Sequence, residues 1–177
     1  MASYGAAQLA SSFRTVRANT IQIAEDIPEN KYDFVPAPGT QSVGALLKHI
    51  AYGPTFYQDI HVKRLTTLKG IDFGAVFGAI KAEEDKPRSK AEIVALLKSK
   101  GEAFASWLDG LSDEFLAETY TDPSGEHTAT RLTSLHSPKE HEMHHRGQLM
   151  LIQRMIGVVP HLTRMRDERA RQAAAKS

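Results

Sequence analysis

The chain has 177 residues, 41% of them hydrophobic and 24% charged, with 22 basic against 21 acidic side chains and a formal net charge of +1. That length suffices for one domain, spanning 1–177, whose core needs no covalent staple, and nothing in the charge balance argues for nucleic acid as a partner. The absence of cysteine excludes disulfides, thiolate metal ligands and a protein thiol nucleophile, so any metal site must rest on histidine and carboxylates. Residues 1–12 lack a basic start followed by an apolar run, and no stretch reaches the length of a membrane span. The expectation is a cytoplasmic protein without a membrane anchor.

Apolar residues Leu9, Phe13, Val16, Ile23 and Ile27 recur at helical spacing and predict a long amphipathic helix over about 4–27. Pro28 stops it, and prolines 28, 36 and 38 make the following segment a stiff loop. Thr40 or Ser42 can cap the next helix, whose stripe runs Val43, Leu46, Leu47 and Ile50; with a kink at Pro54 it extends to about residue 65. His49 lies beside that stripe rather than in its middle. Residues 66–88 read as a mobile connection with a helical turn or two, because Gly70, Gly74 and Gly78 interrupt the periodicity and 81–86 is a solvated charged run.

Ser89-Lys90-Ala91-Glu92 forms a capping box that opens a helix carrying Ile93, Leu96, Leu97, Phe104, Trp107 and Leu108, with Gly110 as its stop. A short extra turn follows at 112–116. Residues 119–121 and 127–130, joined by Asp122-Pro123-Ser124-Gly125, read as a small hairpin. The last major helix has two possible starts. Either Ser137-Pro138-Lys139-Glu140 opens it, or a helix from about Thr130 runs through and Pro138 kinks it. It ends near Gly157, and a basic, alanine-rich tail helix follows from His161.

Within that last major helix, His141 and His145 lie four apart, so their side chains are neighbours on one face and can grip one metal ion. The same face continues into Leu149, Ile152 and Ile156, which points the pair toward a core where unsatisfied imidazoles would cost about 1–3 kcal/mol each. The competing reading is two hydrogen-bonded or solvated histidines, with His136 and His144 close by and His141–His144 available as an i, i+3 pair. His141-Glu142-Met143-His144-His145 also matches H-E-x-x-H, the zincin pattern in which the glutamate is general base. The longer metzincin continuation is absent, and the carboxylate a gluzincin needs has Glu168 as its candidate, in a polar run better suited to solvent.

His141 with His145-Arg146-Gly147-Gln148-Leu149, together with Ser42-Val43-Gly44-Ala45-Leu46-Leu47-Lys48-His49-Ile50, resembles the DinB/YfiT-like superfamily of metal-binding helical bundles. The proline-rich loop before the second helix and the Gly-Val-Val-Pro exit from the last extend the resemblance over nearly the whole chain. It implies an all-α four-helix bundle, with the small hairpin before the last bundle helix, and one divalent metal held by His49, His141 and His145. Three imidazoles suit zinc or nickel, with iron or manganese also compatible, and leave open positions for water or substrate. The resemblance further implies a small-molecule substrate and a metal-dependent transferase using a low-molecular-weight thiol, or a hydrolase. The alternatives are a zincin-like hydrolase with Glu142 as catalytic base and a non-enzymatic metal-binding or interaction bundle. Pairing through exposed helix faces gives a homodimer as the expected assembly.

Overall fold

The structure is a computed structural model that describes residues 4–175. Helix α1, Ala6–Asp26, buries Leu9, Phe13, Val16 and Ile23 along one side. Ile27 leaves it in an extended conformation ahead of Pro28. A turn of 3-10 helix at Glu29–Lys31 follows, and the Tyr32 hydroxyl donates to the Ala24 carbonyl at 2.8 Å, tying this loop back onto α1. Ser42, not Thr40, caps α2, Val43–Tyr52, by accepting from the Ala45 amide.

The helix expected to run to about 65 is divided. Helix α3, Pro54–Val62, begins directly after α2, with Gly53 between them still at helical angles (φ −47°, ψ −41°). Pro54 has no amide hydrogen to give to the turn before it, so the break falls where that hydrogen bond would be. The connection at 66–88 holds a fuller element than a turn or two. Asp72 accepts from the Ala75 amide and starts α4, Phe73–Glu84. Its glycines face outward, where they weaken a helix without ending it. Little of α4 is buried apart from Glu84, and Phe73 and Phe77 lie against Phe56 of α3 with ring centroids 5.8 and 5.2 Å away.

Helix α5, Lys90–Asp109, opens with the Ser89–Glu92 capping box and closes at Gly110. The short α6, Asp113–Ala117, leads to strands β1, Thr119–Thr121, and β2, Thr128–Thr130, paired antiparallel with Tyr120 opposite Ala129. The Leu68 amide donates to the Thr121 carbonyl and the Thr121 amide to the Thr66 carbonyl, so the hairpin is anchored to the 66–68 segment. Helix α7, Arg131–Ser134, is capped by Thr130. Leu135 and His136 keep helical backbone angles, and α8, Ser137–Met155, starts with Pro138 in its first turn. The two readings of Pro138 thus resolve into a separate short helix followed by a fresh start at 137. Helix α9, His161–Ala174, is the tail.

Helices α1, α2, α5 and α8 form the bundle. One core cluster joins Ile23 and Ala24, Leu47 and Ile50, Ile93 and Leu97, and Leu149 and Ile152, two residues from each of the four. A second unites Leu9 and Phe13 of α1 with Phe104 and Leu108 of α5 and with Leu116 and Leu135. Each large side chain buried in this way contributes roughly 1.5–3 kcal/mol. The C-terminal half of α1 meets the N-terminal half of α5 in the first cluster and the reverse holds in the second, so these helices run antiparallel.

Arg17 of α1 and Glu142 of α8 lie between the two clusters in chain order, both nearly inaccessible. Arg17 donates to both Glu142 carboxylate oxygens at 2.9–3.0 Å and to the Leu97 and Ile50 carbonyls, linking all four bundle helices. A Cβ at Gly101 of α5 would come within 2.6 Å of the Arg17 side chain, so only glycine leaves room for it there. Among the described residues no helix is long and apolar enough to cross a membrane.

Candidate metal centre

Helix α2 presents His49 and helix α8 presents His141 and His145 to a common point. The His49 and His141 Nε2 atoms are 3.0 Å apart, and the His145 and His141 Nε2 atoms 3.1 Å. Among the described residues these three form the one group of histidine and acidic side chains whose ligand atoms all lie within 4.8 Å of one another. The α8 pair sits at the margin of the core rather than inside it. Glu142 and Leu149 take the fully buried positions, and His141 and His145 are half-buried at the edge of that stripe, open to the cavities described below.

The other ring nitrogens decide what the cluster can do. Nδ1 of His49 lies 3.0 Å from Oε1 of Glu84, the last residue of α4, whose side chain is only 8% exposed. A carboxylate accepts, so this Nδ1 carries the hydrogen and the His49 Nε2 keeps its lone pair. Nδ1 of His145 is 2.8 Å from the amide oxygen of Gln148, which fixes the same tautomer. The Gln148 amide nitrogen is 3.2 Å from His144 Nε2, so His144 faces Gln148 and stands outside the cluster. Two bare Nε2 lone pairs therefore converge on a third imidazole, an arrangement that a shared proton or a cation stabilises.

Burial, followed by the neighbouring His145, His49 and His144, pulls the His141 pKa down to about 4. Burial is likewise the largest influence on His145 and lowers its pKa, with the Gln148 hydrogen bond opposing it. Neutral imidazoles are the form that ligates metal, and nitrogens each about 2.0–2.1 Å from one ion would be separated by about the distances seen here. The donor set fits a divalent cation, with Glu84 and Gln148 as the outer partners that orient two of the ligands.

Gly53 explains how His141 reaches this point. A Cβ there would lie 2.9 Å from His141 Nδ1 and 3.1 Å from its Cε1. The glycine between α2 and α3 lets the imidazole pass close to the backbone.

Two cavities open on the cluster, both bordered by His49 and Gln41. The larger, about 570 Å³, lies between α3 and α4 and is walled by Tyr52, Phe56, Tyr57, Phe77 and Ile80. The other, about 480 Å³, lies between the proline-rich loop and α8, against Pro36, Leu46, Leu151, Ile152 and Met155. Both are of the size that holds small organic ligands.

Other sequence candidates fall elsewhere. The Glu142 carboxylate is engaged by Arg17. Glu168 is exposed and bonds Arg171 and Gln172 of its own helix. A further serine–histidine contact, His61 Nε2 to Ser134 Oγ at 3.0 Å, has the wrong polarity for nucleophile activation. Arg131 donates to His61 Nδ1 at 3.1 Å, so Nε2 carries the hydrogen and donates to the serine. Glu84, Gly53 and Arg17 were not singled out by sequence reasoning. The one available signal for Glu84 was its place at the end of the apolar spacing Phe73, Phe77 and Ile80.

A family model described as the DinB superfamily matches residues 12–149. The chain belongs to that superfamily. No curated protein matches. Solved structures with the DinB fold include a DinB-like protein from Bacillus subtilis, 23% identical over 85% of this chain and 92% of its own, with a TM-score of 0.63. A DinB-like protein from Bacillus cereus is 18% identical, covers 86% of this chain and 93% of its own, and gives a TM-score of 0.66. YfiT from B. subtilis is described as a probable metal-dependent hydrolase with an unusual four-helix bundle topology. It is 16% identical over 89% of this chain and 91% of its own, with a TM-score of 0.68. These identities carry the fold, and the bundle of α1, α2, α5 and α8 is this chain's version of it.

Proposed function

We propose that this DinB-superfamily protein is an enzyme that holds one divalent cation on His49, His141 and His145 and transfers a group to a low-molecular-weight thiol. The observation that carries the reading is the convergence of three Nε2 atoms, two of them left as bare acceptors by the Glu84 and Gln148 hydrogen bonds. Three imidazoles suit zinc or nickel and accept iron or manganese. The ion, when bound, lowers the pKa of a coordinated thiol or water and polarises an oxygen of the other reactant.

The chain's own part is orientation and binding. Glu84 and Gln148 hold two rings in the ligating tautomer, Gly53 admits the third, and the apolar walls of the two cavities give the reactants surface to bind beside the histidines. The thiol comes from outside, since the chain has no cysteine. Two organic-sized cavities opening on His49 support transfer between two reactants, whereas hydrolysis needs only one of them beside a water. Glu142, the base of a zincin reading, spends its carboxylate on Arg17 and is nearly inaccessible, which favours the histidine triad without it.

Elemental analysis of the wild type beside His49→Ala and Glu142→Gln tests this. Close to one metal per chain is expected in wild type and Glu142→Gln, with loss in His49→Ala. Full occupancy in His49→Ala, or no metal in wild type after incubation with zinc and nickel, overturns it.

A further inference from the structure

The cavity between α3 and α4 has a wall chemistry that goes beyond holding a metal. Phe56 is on its wall, with the Tyr57 ring at 5.3 Å and the Phe77 ring at 5.2 Å, and Phe73 stacks on Phe77 at 6.1 Å. Phe77 is 49% exposed although it lines a cavity beside the histidine cluster. An aromatic ring left half in water at a cavity wall has a face to offer a ligand.

The charged groups of the cavity narrow the ligand further. Lys81 is ion-paired with Asp85 on the next turn of α4. Glu84, nearly buried, already accepts from His49. In the metal-free protein an anionic ligand would meet a nearly buried carboxylate and no unpaired cation, and in the metal-loaded protein a cationic ligand would approach the ion held beside the cavity. An uncharged ring avoids both costs.

We infer that the α3–α4 cavity binds an uncharged aromatic or similarly flat apolar reactant, stacked on Phe77 and Phe56, which presents one oxygen or sulfur atom toward His49 and His141. This rests on the proposed metal site for its chemistry, but the stacking itself needs only Phe56 and Phe77. The second cavity, with Leu151 and Met155, has no phenylalanine, tyrosine or tryptophan on its wall and serves as the internal control.

The test uses 2-naphthol as a fluorescent neutral probe, with 2-naphthoate and 1-naphthylmethylammonium as charged counterparts. They are titrated into metal-free and zinc-loaded protein, with metal content measured in parallel. Saturable 2-naphthol binding is expected in both forms, weakened about two- to tenfold by Phe77→Ala. Phe77→Tyr, which keeps the ring, and Met155→Ala, on the other cavity, should leave it unchanged. 2-Naphthoate should bind metal-free protein, and 1-naphthylmethylammonium zinc-loaded protein, more weakly than 2-naphthol.

Equal binding by wild type and Phe77→Ala, equal loss in Met155→Ala, tighter binding of 2-naphthoate than of 2-naphthol to metal-free protein, or tighter binding of 1-naphthylmethylammonium than of 2-naphthol to zinc-loaded protein overturns the inference. Circular dichroism of each variant separates loss of the site from loss of the fold. A wild type without metal that still shows ring-dependent 2-naphthol binding would sink the metal reading and leave this one standing. Metal at full occupancy without ring-dependent binding would do the opposite.

Discussion

Nδ1 of His49 on α2 donates to Glu84 at the last turn of α4 at 3.0 Å, joining two helices through side chains 35 residues apart in sequence. A carboxylate on the far nitrogen fixes the ring and raises its basicity toward a metal, and removing such a partner costs about 10–100-fold in affinity. Glu84→Ala is therefore expected to weaken zinc binding about 10–100-fold while leaving the bundle intact, because α4 packs outside it. Competition with a chelating dye measures the affinity. An unchanged affinity would mean that α4 has no part in holding the metal.

Gly53 separates stability from function in one substitution. Its backbone is helical, so alanine fits the local conformation and reduces the freedom of the unfolded chain, which by itself is worth about 0.4–1 kcal/mol in favour of folding. The same Cβ would sit 2.9 Å from His141 Nδ1 and push the ring off its point of convergence. Gly53→Ala should lower metal affinity with little loss of thermal stability, read by dye competition and by a melt of the metal-free protein. Undiminished affinity would show that the His141 ring has another way to reach the cluster.

The buried Arg17–Glu142 pair predicts a different asymmetry. Glu142→Ala strands the guanidinium between two apolar clusters, and breaking a buried pair from one side costs about 3–5 kcal/mol. Glu142→Gln keeps an oxygen to accept from Arg17 and should cost distinctly less. Urea denaturation of both variants orders them. Equal stability in Glu142→Ala and wild type would show that the pair contributes nothing to holding α1 against α8.

The bundle was legible because its four helices carry their own punctuation. Pro28, the Ser42 cap, the Ser89–Glu92 capping box and Gly110 all act on neighbours a few residues away, and local spacing reports such effects. His141 and His145 were legible as a pair for the same reason. His49 entered through a family resemblance, since its partners are about 92 residues distant and periodicity placed it only beside its stripe. Helix α4 is hard to read because its glycines look like breakers when the helix buries almost nothing, and it is held by Phe56 and His49 of other helices. Glu142 shows the limit of a short motif. The letters of H-E-x-x-H match, but Arg17, 125 residues away, decides what the carboxylate does.

His61 gives a pH signature independent of the metal site. It is inaccessible, and burial together with the adjacent Arg131 guanidinium lowers its pKa from about 6.5 to about 4. The unfolded chain therefore binds a proton at this residue between pH 6.5 and 4 that the native protein refuses. Stability rises with pH wherever the unfolded state holds more protons, so this contribution is fully present above about 6.5, is lost as pH falls through that window, and changes no further below about 4. Its size is roughly 3 kcal/mol. His61→Gln removes the titrating group while its amide can still accept from Arg131 and donate to Ser134. Urea denaturation of metal-free wild type and His61→Gln at pH 7 and pH 4.5 should show a smaller loss on acidification in the variant. Equal losses would show that His61 takes up its proton in the native protein as readily as in the unfolded chain.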